Sequence, residues 1–167
     1  MLFRMGVLAI AAICLSGAAR ADDCVSAMGA LRAGVQRPYS TTVTMAGMKG
    51  VPDSVSRVVM TGTKMYMQLH GRWSVVPTTT KELLAAMDDQ EKTAKTTCHR
   101  TGDDFVGGQA AAIYSVHVVN KGLTSDSTIW ISKASGLPAK SEIHVPNGQT
   151  ITSLFDYTHV QPPPGVK

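Results

Sequence analysis

The chain has 167 residues, 16 basic against 12 acidic, 17% charged and only 5% aromatic. Arg4 and Arg20 precede a cleavage point at Ala21, so the exported chain carries about +2 rather than the +4 of the whole. Such weak and scattered charge carries neither a nucleic-acid footprint nor a polybasic membrane patch.

A basic start at Arg4, an apolar run over residues 7–15 and the A-x-A site Ala19-Arg20-Ala21 form a signal peptide, with cleavage between Ala21 and Asp22. Residues 1–21 are thus a leader, 22–160 a single domain, and 161–167 a Pro-rich tail. The apolar run is too short to span a bilayer, and no second one follows, so the exported protein is expected to be soluble in the periplasm, with at most transient membrane contact. Neither Cys14, after Ile13, nor Cys24, after Asp23, sits in a lipobox. Cys14 leaves with the leader. Cys24 and Cys98 remain, an even pair in an oxidising compartment, and are expected to form a disulfide.

Residues 23–35 read as a helix capped by Asp22 or Asp23, with Val25, Met28, Leu31 and Val35 on one face. Residues 39–46 and 54–61 are strands around a Gly/Pro loop. Residues 64–76 (KMYMQLHGRWSVV) predict a hairpin turning at Gly71: Met65, Met67 and Leu69 alternate with Tyr66, Gln68 and His70. Thr79 or Thr80 caps a helix over 81–92 with Leu83, Leu84 and Met87 as its apolar face. Beyond it strands are expected near 97–101, 110–119, 124–133, 137–145 and 150–158. Turn signals separate them, among them Lys121-Gly122 and Asn147-Gly148. The reading is an α+β, mostly β chain: a curved antiparallel sheet of about eight strands, with one wet and one dry face, the dry face covered by the N-terminal helix and the inserted lid helix.

Four stretches go further. Residues 64–73 (KMYMQLHGRW), 98–114 (CHRTGDDFVGGQAAAIY), 128–140 (TIWISKASGLPAK) and 155–166 (FDYTHVQPPPGV) resemble the segments of the LolA-like outer-membrane lipoprotein-sorting superfamily. The resemblance implies a half-barrel with an apolar hollow that takes acyl chains or lipidated partners, and no cofactor. The nearest candidate for the lid-locking arginine of the lipoprotein carriers is Arg57.

No residue set amounts to an active site. The five histidines lack ligand spacing, and the chain has no G-x-S-x-G elbow, Walker loop or dinucleotide fingerprint. Asp88-Asp89, Glu91 and Asp103-Asp104 read as solvated helix and turn residues. Met65 and Met67 on one strand face would suit Cu(I), but no Cys or His beside them in sequence closes such a site, and no metal is expected. The methionines suit an adaptable apolar lining. The expected ligand contacts are Met65, Met67, Leu69, Leu83, Leu84 and Met87. The expected function is non-enzymatic carriage of a hydrophobic small molecule, lipid or lipidated protein. The alternative is a solid-cored interaction module, which a hollow or its absence would discriminate.

Overall fold

The computed structural model describes residues 21–145 and 148–166. The leader, and Asn147 of the expected Asn147-Gly148 turn, lie outside the described residues. Helix α1 (Ala21–Val35) leads into β1 (Tyr39–Ala46), β2 (Ser54–Met60), β3 (Met65–Leu69) and β4 (Arg72–Val76). Helix α2 (Thr80–Thr93) follows, and then β5 (Lys95–Val106), β6 (Gln109–Asn120), β7 (Leu123–Ser132), β8 (Pro138–His144) and β9 (Thr150–Asp156). The strands form one antiparallel sheet of nine, in the order β4-β3-β2-β1-β9-β8-β7-β6-β5. That is one strand more than the expected eight or so.

The order suits a curved sheet. Strands β4 and β5 are the two edges, yet only residues 77–94 connect them. Nine flat strands would span about 38 Å. The 14-residue α2 covers about 21 Å. Residues 77–79 and 94 add about 20 Å when extended, so the link would cross a flat sheet only when taut; in the curved sheet it is relaxed, with α2 across the open side of a half-barrel.

Helix α1 packs on the inside of this sheet, mainly against β5. It does so through small residues: Ala27 and Ala30 are buried and join Cys98, Tyr114, Val116, Ile129 and Ile131 in one cluster. Gly34 extends the close approach, since a Cβ there would lie 2.7 Å from Tyr157 Oη and 3.0 Å from Pro138 Cδ. Val25, expected on the apolar face, is instead 74% exposed. The Cys24–Cys98 disulfide ties the first turn of α1 to β5. Asp23, expected to cap α1, lies inside it and accepts the backbone N–H of Arg100 at 3.0 Å.

Two carboxylate readings change. Asp103 and Asp104 belong to β5, not to a turn, because a bulge between Arg100 and Gly102 lets the strand continue past the glycine. Asp103 pairs with Arg100 and with Lys133 (2.7 Å), which hold its carboxyl below the usual range, led by the hydrogen bond from Lys133. Asp104 accepts the Trp130 indole N–H at 3.2 Å on the outer face, where the Lys140 ammonium sits 4.2 Å from the ring centre. The Pro-rich tail is not wholly free, since Pro163 is buried.

Candidate functional site

A hollow of about 340 Å³ lies between the two helices and β6, β7 and β8. Met28, Leu31 and Val35 line it from α1, and Met87 and Gln90 from α2. The sheet contributes Val116, Val118, Ile129 and Ile143, with Ser125 and Ser127. The pairings Val116↔Ser127↔Ile143 put these residues on one face of the pleat, the face that α1 covers. Eight of the eleven lining residues are apolar, and none is charged. The size and character match a pocket for an apolar ligand.

The roof is built differently from the floor. Thr79 caps α2 through a reciprocal box: its hydroxyl accepts the Glu82 N–H at 3.3 Å, and the Glu82 carboxylate accepts the Thr79 N–H at 2.8 Å. The carboxylate also accepts the Thr79 hydroxyl at 3.0 Å, and the Thr79 N–H and hydroxyl together hold it below its ordinary 4.5. Leu83, Leu84 and Met87 form an apolar face, yet α2 buries none of its residues. Polar contacts fasten it: the Thr80 N–H donates to the Gly62 carbonyl at 3.1 Å, the Asn120 amide donates to Thr93 Oγ1 at 3.5 Å, and Arg32 of α1 reaches Asp88 at 2.7 Å and Glu91 at 3.0 Å through Nη2. Positions 88 and 91 share a helix face, so one guanidinium bridges both. Asp88 and Glu91, expected as free surface charges, are the latch. Arg57 cannot serve as one: in the continuous row Leu154↔Thr42↔Arg57↔Gln68↔Trp73 it lies on the face opposite α1.

Of the six residues expected to contact ligand, Met87 lines this hollow and the other five do not. Leu83 and Leu84 are half-buried on α2. Met65 and Met67 pair with Met60 and Val58, which puts them on the α1 side of the sheet, farther round the half-barrel. Both are half-buried, while Leu69, at the hairpin end, is 47% exposed. The lining from β6 to β8 escaped sequence reasoning because half-buried strand residues show only alternation, which does not say what lies opposite. Met28, Leu31 and Val35 were legible as a helix face but not as a hollow's wall. A broader depression of about 470 Å³ lies across the α1–α2 contact, lined by the exposed Val25 and Gly29 and by the Arg32–Glu91 pair. It cannot screen an apolar ligand from water.

Among the described residues no three His, Cys, Asp or Glu side chains converge as a metal site would require. His117 instead pairs with Asp126 at 2.6 Å across β6 and β7. No described helix is long and apolar enough to cross a membrane.

An open curved antiparallel sheet with one helix packed inside it and a second across its mouth is the LolA-like half-barrel fold. The same fold is found in the lipoprotein LppX of Mycobacterium tuberculosis, with a TM-score of 0.51 at 10% identity over 84% of this chain and 96% of that one. LprF from Mycobacterium bovis gives 0.52 at 10% identity, over 87% and 98%. A chain of the Pseudomonas aeruginosa MucA/MucB complex gives 0.51 at 14% identity, over 85% of this chain but 59% of its own length. At these identities the likeness is one of fold. No family model matches the sequence, and no curated protein matches it.

Proposed function

We propose that this protein is an exported, non-enzymatic carrier. It holds a hydrophobic ligand, lipid-like or lipidated, between the sheet and α2. The observation that carries this reading is the uncharged hollow of about 340 Å³ under a helix that buries nothing of its own. A solid-cored module would have drawn Met87 and Leu84 into full contact with the sheet. Here both stay half-buried, and Met87 faces a wall of valine and isoleucine.

Binding is apolar burial. Each methylene removed from water contributes about 0.8 kcal/mol, so a ligand burying six gains about 5 kcal/mol with no polar contact. A longer chain would run past Met87 and Leu84 toward Met67 and Met65, whose side of the sheet is also incompletely covered; Leu83 and Leu69 would border that path. The ligand enters and leaves when α2 swings away from Arg32. Export by a leader cleaved after Ala21 places this activity in the periplasm.

The test is native mass spectrometry of the chain purified from the periplasm, followed by lipid extraction and titration with a fluorescent fatty acid. A co-purifying lipid and probe binding at least tenfold weaker in a folded Met87→Asp variant are expected. An empty protein that ignores the probe would refute the carrier reading.

A further inference from the structure

The two ends of the half-barrel differ in what they expose. Where α1 leaves and β1 begins, Tyr39, Phe155 and Tyr157 pack with ring centres 6.0 to 6.4 Å apart. The opposite end holds the loop between β1 and β2, the β3–β4 and β6–β7 turns, the start of β5 and the first turn of α1. Among the described residues, eight large hydrophobic side chains are prominently exposed, and five of them sit at this end. Leu123 is 78% exposed, Val25 74%, and Val51 52%; Val55 and Leu69 complete the set.

Three of these tips have a cation close by in sequence: Lys121 beside Leu123, Lys49 beside Val51, and Arg72 after Leu69; Val25 instead follows Asp22 and Asp23, and Lys95, which begins β5, is the cation at that corner. Among the described residues these four have no ion-pair partner. The nearby acids are engaged: Asp53 accepts the Gly47 N–H, and Asp126 holds His117. The turn carrying Leu123 is built from Lys121 and Gly122 at φ 48° and 82°, a two-residue reversal that projects its flanking side chains. The hollow reaches the same end, because its lining pair Val118↔Ser125 lies just inside the Asn120↔Leu123 pair that closes this turn.

We infer that this end docks on an anionic phospholipid bilayer. Leu123, Val51 and Val25 enter the interfacial layer, and Lys49, Lys95 and Lys121 meet the phosphates. A deformable anionic surface is the occupant that suits separate apolar tips on separate elements, of which Leu123, Val51 and Leu69 each lie next to a cation; a protein partner would favour one flat contiguous patch. Docking so oriented brings the hollow's lining to the lipid, and a hydrophobic ligand passes without crossing water. The purpose of the surface rests on the carrier reading, but its detection does not.

The oxidised chain from residue 22 is sedimented with phosphatidylglycerol-containing vesicles and with phosphatidylcholine vesicles. Binding to the anionic vesicles alone, weakened by salt, is expected. Lys121→Glu and Lys49→Glu should each weaken it about fivefold or more, and Leu123→Ser with Val51→Ser about tenfold. Phe105→Ser and Lys64→Glu, at the aromatic end, should leave it unchanged. Equal losses from both ends, capture by a protein or a second copy of the chain in place of vesicles, or no vesicle binding by a chain that still takes up fatty acid would overturn the docking surface. Vesicle binding with the expected pattern but no fatty-acid uptake would support the surface and sink the carrier reading instead.

Discussion

The two helices cover the same sheet and are attached by opposite means. Helix α1 presents small residues, sinks to backbone distance and is covalently fixed at Cys24. Helix α2 presents Leu83, Leu84 and Met87, bulkier side chains that reach inward without being buried, and is held by polar contacts: Arg32, the Thr80 N–H on the Gly62 carbonyl and the Asn120 amide on Thr93. Small residues close a gap and large ones leave it open. Helix α1 thus meets the sheet closely where it carries alanine and glycine, and the gap stays open between its Met28, Leu31 and Val35 and Met87 of α2.

The largest effect should come from cutting the floor loose. Replacing Cys24 and Cys98 with Ala opens a loop of 74 residues and should cost about 4 kcal/mol in urea denaturation. A loss under about 1 kcal/mol would mean that α1 is held by packing alone. Next is Gly34→Ala, whose new methyl meets Tyr157 and the Pro138 ring. About 1–3 kcal/mol is expected, and an unchanged midpoint would show that α1 is not wedged there.

The roof should respond locally. Thr79→Ala removes the cap and should lower the opening free energy of α2 by about 1 kcal/mol in amide hydrogen exchange, while the global melting curve moves little. Acid should do the same. Glu82 titrates below its ordinary 4.5 in the folded protein, so its contribution is fully present above that value and fades as pH falls through the lower folded one. Faster exchange of the first α2 amides below about pH 4, corrected for intrinsic rates, checks this. The smallest stability change should come from Arg32→Gln, because a partly exposed ion pair contributes little. Its signature is kinetic: faster dissociation of a bound fatty-acid probe, and loss of the salt dependence of that rate. An unaltered off-rate would mean that α2 is not the gate.

The elements were legible in the sequence because strand alternation and turn chemistry are local. The pattern of residues 64–76 located the hairpin, but alternation only separated Met65 and Met67 from Tyr66 and Gln68; it did not say which pair faces α1. The latch was not, because Arg32 and Glu91 are 59 positions apart and nothing in either helix announces the other. Asp103 and Asp104 misled for a related reason. A glycine before two aspartates has the composition of a turn, and only the partner strand β6 shows that the chain bulges and runs on. Which half-buried residues face a void is likewise fixed by how closely a helix elsewhere in the chain approaches.

The sheet also sets an order of events. Strand β9 pairs with β1 on one side and β8 on the other, and it alone joins β1–β4 to β5–β8. A chain synthesised from its N-terminus presents β1 early and must leave that strand's second edge bare until residues 150–156 emerge. Completion of the half-barrel therefore waits for β9, the last of its nine strands, and until then β1 and β8 are sticky ends open to any passing strand. A chain stopped before Thr150 should accordingly be found aggregated or degraded rather than as a smaller folded protein, and a soluble, protease-resistant fragment would argue otherwise.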